Sequence, residues 1–133
     1  MATTLKKITA NLMVESVDTT IAFYKDVLGF EVITTVPDAG PFDWAWMKRG
    51  DVELMFQSRP SLSGDMPAFA DKEVGGTFGL YINVEGVQSL YDTIKDKVTI
   101  IKDMHTTFYG AQEFYIQDCN GYILGFAEDI PNA

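Results

Sequence analysis

Several features that mark particular classes of protein are scarce in this chain of 133 residues. It has a single cysteine, Cys119, so an internal disulfide cannot form. No apolar run approaches the length of a membrane-spanning helix, and the N-terminal residues lack the apolar core of a signal peptide. We therefore expect a cytoplasmic protein with no membrane partner.

Basic residues are also scarce, with ten Lys and Arg against 19 Asp and Glu and a formal net charge of −9. Nucleic-acid binding needs concentrated Lys and Arg to neutralise phosphates, so we expect no nucleic-acid partner. The acidic balance has two interpretations. It favours solubility in any case, which is the simpler one, and it would also attract a cationic small molecule.

The segment from Val14 to Phe30 organises the chain. Its apolar residues follow a helical period and predict one buried stripe, formed by Val17, Ile21, Tyr24 and Leu28. Asp18 is the predicted N-cap, because a carboxylate can accept from the free N–H groups of a first helical turn. Gly29 is predicted to end the helix in the left-handed conformation.

A second copy of this unit follows, since Val84-Glu85-Gly86-Val87 repeats Val14-Glu15-Ser16-Val17 and a second apolar stripe follows it. Two copies are too few for a solenoid. We therefore predict one α+β domain of two βαβββ modules, with module one at 1–59, a linker at 60–73 and module two at 74–130. The predicted strands cover 8–14, 30–36, 42–47 and 52–57 in module one, and 77–84, 98–101, 111–117 and 122–127 in module two.

Two motifs resemble the vicinal oxygen chelate superfamily, which contains glyoxalase I, extradiol dioxygenases and bleomycin-resistance proteins. The first is the helix that begins near Asp18 and ends at Gly29-Phe30. The second is the final hairpin, Tyr109-Gly110-x-x-Glu113-Phe114 followed by Asp118-x-x-Gly121-Tyr122. The resemblance implies that each module curls into a half-barrel around a cavity. It also implies a homodimer, because the bleomycin-resistance branch binds its drug in grooves between two subunits.

The resemblance allows a test for metal binding. Metal-dependent members take four His, Glu or Gln ligands from the first and last strands of the modules. The corresponding positions fall at Thr9, at or beside Glu53, at Gly79 and at Gly125. Glycine has no donor and threonine is a poor one, so we expect no metal, no other cofactor and no catalytic residue. His105, the only histidine, lies off these positions and is predicted to be a surface histidine in the kinked connection at 104–110.

The two glycines would leave volume that aromatic side chains could line. Aromatic faces beside a carboxylate suit a planar or cationic organic ligand. Each aromatic residue also fits ordinary core packing, which is the more frequent role. Trp44 and Trp46 are favoured because they share one strand face. The predicted ligand-binding residues are Trp44, Trp46, Glu53, Phe56, Tyr109 and Phe114.

We therefore expect a metal-independent protein that binds a small molecule, for instance to sequester an antibiotic or another aromatic or cationic compound. The alternative is a metal-dependent enzyme of the glyoxalase (lyase) or dioxygenase type, with an unusual ligand set that includes Glu53 and His105. A third possibility is a domain that has kept no small-molecule role.

Overall fold

The computed structural model describes residues 2–131. Its strands and helices are β1 (Ala10–Val14), α1 (Val17–Asp26), β2 (Glu31–Val36), β3 (Trp44–Arg49), β4 (Val52–Ser58), α2 (Arg59–Asp65), β5 (Gly79–Asn83), α3 (Val87–Ile94), β6 (Thr99–Thr106), β7 (Ala111–Gln117) and β8 (Ile123–Asp129), with a 3-10 turn at Pro67–Phe69. None of the described helices is long and apolar enough to span a membrane.

The strands form two 4-stranded sheets with the same order. Sheet A runs β1-β4-β3-β2 and sheet B runs β5-β8-β7-β6. In each sheet the first and last strands of the module pair in parallel, and the remaining pairs are antiparallel. The repeated order confirms the predicted α+β fold of two βαβββ modules.

Helix α1 packs on sheet A through the predicted stripe, and Val17, Tyr24 and Leu28 are buried. The predicted cap is wrong. Ser16 directly precedes the helix in an extended conformation, and its hydroxyl accepts from the Thr19 N–H at 3.1 Å. Asp18 instead accepts from the Phe42 N–H at 2.8 Å, so its carboxylate ties the turn before β3 to the helix.

Gly29 has a φ of +72°, which confirms the predicted left-handed end of the first helical segment. Two segments differ from the prediction. The linker contains helix α2, which Ser58 caps by accepting from the Ser61 N–H at 3.3 Å. Strand β6 extends to Thr106, into the predicted kinked connection, with register shifts on either side of Lys102. These irregularities weaken the alternation that would have identified the strand.

The two modules share one hydrophobic core within the chain. Three hydrogen bonds join the first module to the β7–β8 turn. The Tyr24 hydroxyl donates to Asp118 Oδ2 at 2.6 Å, the Tyr122 hydroxyl donates to the Met13 carbonyl at 2.6 Å, and Asn120 Nδ2 donates to Thr20 Oγ1 at 2.9 Å. The helix sides of the two modules therefore contact each other within the chain.

We predict that Tyr24→Phe lowers the free energy of unfolding by about 1–3 kcal/mol, because it leaves Asp118 Oδ2 buried without its donor. Tyr91→Phe is the matched control, since its hydroxyl donates to a carboxylate at the surface, that of Asp103. Urea unfolding measures both variants. Equal losses in the two variants would contradict a special role for the Tyr24–Asp118 bond.

Candidate functional site

The candidate site lies on one face of each sheet. The helix of a module covers one face, and we call the other the open face. In β3, Ala45 and Met47 are completely buried on the helix side, whereas Trp44 and Trp46 alternate onto the open face. Glu53 lies on the same open face, because its neighbour across the ladder is Lys48, two positions after Trp46.

Phe56 and Phe114, both predicted to line the ligand site, lie in the core instead. Both are fully buried. The Phe56 ring centre is 4.7 Å from that of Tyr24 in α1, and the Phe114 ring centre is 5.1 Å from that of Tyr91 in α3. The reason is strand alternation, since Phe56 is three positions from Glu53 in β4 and Phe114 is next to Glu113 in β7, so each ring points to the face opposite the carboxylate. The candidate site therefore excludes both rings.

On sheet A, a lysine from the N-terminal segment joins the predicted pair of Trp46 and Glu53. Lys7 Nζ lies 2.5 Å from Glu53 Oε2 and 5.7 Å from the centre of the Trp46 ring. The hydrogen bond from Lys7 holds the pKa of Glu53 below its usual range. We call Lys7, Trp46 and Glu53 the sheet-A cluster. It contains an ammonium group held between a carboxylate and an aromatic face.

Amide side chains continue the open face of sheet A toward the linker. Asn11 Nδ2 donates to Gln57 Oε1 at 2.9 Å, and Gln57 Nε2 is 2.9 Å from both Ser61 Oγ and Asp65 Oδ2 of α2. The linker helix therefore packs at one end of this face. Among the described residues, Asn11 Oδ1 is buried without a hydrogen-bond partner.

On sheet B, Glu113 is the centre of a second cluster. Its side chain is 2% exposed. The hydroxyls of Tyr81 and Tyr109 donate to Oε2 at 2.6 and 2.5 Å, and that of Tyr115 donates to Oε1 at 3.3 Å. His105 Nε2 lies 3.7 Å from Oε1. We call these five residues the sheet-B cluster.

Hydrogen bonding sets the protonation of this cluster. Burial raises the pKa of Glu113, but the hydroxyls of Tyr109, Tyr81 and Tyr115 lower it by more, so the net direction is downward. The carboxylate in turn raises the pKa of Tyr81 and Tyr109. The phenols therefore stay protonated and act as donors, and Glu113 keeps its charge.

His105 belongs to strand β6 and not to a loop. Its Nδ1 lies 2.8 Å from the Asp103 carbonyl oxygen. A carbonyl can only accept, so Nδ1 carries the proton and Nε2 faces Glu113. The histidine is thus part of the sheet-B cluster, which the sequence did not indicate.

The two glycines differ in the space that they leave. A Cβ at Gly125 would lie 2.4 Å from Cε2 of Tyr115, so the Tyr115 ring already fills that position. A Cβ at Gly79 would meet only the Ile123 carbonyl oxygen, at 3.8 Å. The expected volume is therefore present at Gly79 and absent at Gly125.

The donor set does not fit the metal centre of the metal-dependent members. Thr9, Gly79 and Gly125 supply no carboxylate or imidazole, and Glu53 is paired with Lys7. Within residues 2–131, no group of three or more His, Cys, Asp and Glu side chains is arranged to hold a metal ion. The carboxylate of Glu113 already accepts hydrogen bonds from three tyrosine hydroxyls.

A cavity of about 550 Å³ adjoins the sheet-B cluster. Its lining comes from β6, β7 and their turn, and includes His105, Tyr109, Glu113 and Tyr115. A larger groove of about 960 Å³ lies between the end of α1 and helix α3, on the helix side of the sheets. Of the predicted ligand-binding residues, Trp44, Trp46 and Glu53 lie on the open face of sheet A, and Tyr109 belongs to the sheet-B cluster.

The predicted ligand-binding residues do not include Tyr81, Glu113, Tyr115 or His105, although His105 belongs to the alternative metal site. One pattern in the sequence could have identified Tyr115, namely the alternation of side chains along the strand that contains Glu113. Tyr115 lies two positions along the same strand, and His105 is directly opposite Glu113 in the neighbouring strand. Without the register of β6, His105 could not be placed.

The fold and the open sheet faces define the class, an α+β protein of paired βαβββ modules with ligand-sized space outside the sheets. Residues 5–126 match the family model of the Glyoxalase/Bleomycin resistance protein/Dioxygenase superfamily. The chain belongs to this superfamily. No curated protein matches the sequence.

Solved structures share the fold over nearly the whole chain. A protein of unknown function from Agrobacterium tumefaciens has a TM-score of 0.79 at 17% identity, covering 97% of this chain and 98% of that one. A glyoxalase/bleomycin resistance protein/dioxygenase from Nocardioides has a TM-score of 0.78 at 14% identity, covering 99% and 89%. A family enzyme from Burkholderia phytofirmans has a TM-score of 0.74 at 19% identity, covering 92% and 98%. At these identities the likeness shows the fold and not the activity.

Proposed function

We propose that this chain is a metal-independent small-molecule-binding protein of the bleomycin-resistance type. It would hold an aromatic or cationic organic compound, such as an antibiotic, on its open sheet faces, and it would act in the cytoplasm. One observation carries the proposal: each open face pairs a carboxylate with aromatic side chains. Glu53 lies with Trp46 on sheet A, and Glu113 lies with three tyrosines on sheet B.

The chemistry of both clusters suits recognition of a ligand. Indole and phenol rings present flat, electron-rich faces, and a nearby carboxylate adds negative charge for a cation. The hydroxyls of Tyr81 and Tyr109 are held as donors because Glu113 raises their pKa, so no phenolate forms that could act as a general base. The net charge of −9 supports attraction of a cation over longer distances.

The metal-dependent alternative would need Glu53 and His105 in one coordination sphere. The structure places Glu53 in β4 of sheet A and His105 in β6 of sheet B. His105 has Glu113 beside it, which gives two donors, but the carboxylate is occupied by tyrosine hydroxyls. A catalytic metal typically takes three protein ligands, so this set is deficient.

We predict that the purified protein contains no stoichiometric divalent ion, and that a chelator does not lower its melting temperature. The physical reason is the missing donors at Thr9, Gly79 and Gly125. Elemental analysis and thermal unfolding with and without EDTA measure these quantities. One tightly bound zinc, nickel or iron per chain would contradict the proposal and favour the enzyme.

We also propose that the protein is a homodimer in which a second copy covers the open faces. Several large apolar side chains are exposed to solvent near these faces. Leu5 and Ile8, which precede β1, are 99% and 93% exposed, and Phe108, in the turn beside the 550 Å³ cavity, is 99% exposed. Burying them against a second copy would remove this apolar area from water.

Sedimentation equilibrium should show a dimer at micromolar concentration. Phe108→Ser should weaken the dimer, because it removes exposed apolar area, whereas Gln88→Ser on the surface of α3 should leave it unchanged. A wild-type protein that remains monomeric at high micromolar concentration would contradict the dimer.

We predict that a ligand found by thermal-shift screening changes the tryptophan emission, since both tryptophans of the chain lie on the open face of sheet A. If a cation stacks on an indole, removing the ring in Trp46→Ala or Trp44→Ala should lower affinity by about 1–2 kcal/mol. Glu53→Gln should weaken a cationic ligand more than a neutral one, because only the cation needs the charge.

Asp92→Asn is the charge-matched control for Glu53→Gln, because Asp92 lies exposed on α3. It should change neither ligand's affinity beyond the small long-range effect of one charge. If both tryptophan variants bind as tightly as wild type and the emission does not change, the indoles do not contact the ligand.

A further inference from the structure

We propose that Lys7 is a tethered occupant of an ammonium subsite made by Trp46 and Glu53, and that an organic ammonium ligand binds by displacing it. This inference rests on the proposed small-molecule function and adds the ligand class and a competing group. It concerns the sheet-A cluster, in which the chain supplies both the receptor groups and a cation.

The geometry of Lys7 is that of a bound cation. Its Nζ is 2.5 Å from Glu53 Oε2, within hydrogen-bonding distance, and 5.7 Å from the Trp46 ring centre, within the range of a cation–π contact. The ammonium group of Lys7 therefore makes both an ion pair and a cation–π contact. An ammonium group on a ligand would need the same two groups in the same places.

An unpartnered polar atom lies in the same row of the open face as Trp46. The ladder pairs Asn11 with Met55 and Met55 with Trp46, so Asn11 and Trp46 flank Met55. Asn11 Oδ1 is buried without a hydrogen-bond partner, whereas the Trp46 side chain interacts with the Glu53 carboxylate and helps to hold its pKa low. Buried acceptors are nearly always paired, so Asn11 Oδ1 indicates a missing hydrogen-bond donor. An ammonium group on a ligand would supply such a donor.

Lys7 is held in a way that permits displacement. It lies in the segment before β1, which has no regular secondary structure, and its side chain is 51% exposed. An ion pair with this exposure is worth little, because water screens it and the long side chain loses entropy. The competition from Lys7 should therefore lower the apparent affinity of a ligand about two- to fivefold.

The test uses 2-phenoxyethylammonium, which carries an aromatic ring, an ether acceptor and an ammonium group, with neutral 2-phenoxyethanol as its comparison. Lys7→Gln should bind the ammonium probe about two- to fivefold more tightly than wild type. Lys6→Gln, the matched control in the same segment, should bind like wild type. The affinity of 2-phenoxyethanol should be the same in all three proteins.

A second measurement needs no ligand. Removing the ammonium from the Trp46 ring should change the tryptophan emission of free Lys7→Gln, whereas free Lys6→Gln should match wild type. Unchanged emission, or a Lys7→Gln protein that binds the ammonium probe no more tightly than wild type, overturns the proposal. If the probe binds none of the proteins while screening finds a ligand without an ammonium group, the subsite is refuted and the general binding function stands.

Discussion

The hydrogen bond between Tyr24 and Asp118 is the interaction on which the arrangement of the two modules depends. It joins the central helix of module one to the last turn of module two, inside a shared core. Burial raises the pKa of Asp118, so the carboxylate sits there at a cost that the tyrosine hydroxyl and the turn's backbone N–H groups offset. Because this contact fixes the helix sides of the modules to each other, the opposite sheet faces are left open.

Strand alternation then decides which residues reach those open faces. The same alternation that buries Phe56 and Phe114 brings other side chains to the open faces. On sheet A these are Trp44, Trp46 and Glu53, and on sheet B they are Glu113 and Tyr115. Aromatic content alone does not separate core from site. A carboxylate in the same strand does separate them. It points away from the apolar core, and residues two or four positions from it share its face.

Much of the fold could be predicted from the sequence, because helical stripes, Gly29 and the internal repeat are local signals. The site could be predicted only in part. Trp46 was predicted from alternation and Glu53 from the resemblance to the superfamily, but Lys7 reaches them from a segment with no periodic pattern. His105 depended on the register of an irregular strand. Contacts between elements that are distant in sequence, and bulges that shift a register, leave no trace in a single sequence.

The two clusters differ in how the charge of their carboxylate is compensated. At Gly125, the absence of a side chain admits the Tyr115 ring, which together with Tyr81 and Tyr109 satisfies the Glu113 carboxylate with neutral donors. Neutral donors leave the negative charge in place, whereas on sheet A Lys7 neutralises Glu53. In the proposed binding function, a cation on sheet B would lie against the phenol rings around Glu113, whereas a cation on sheet A would compete with Lys7 for the Glu53 carboxylate.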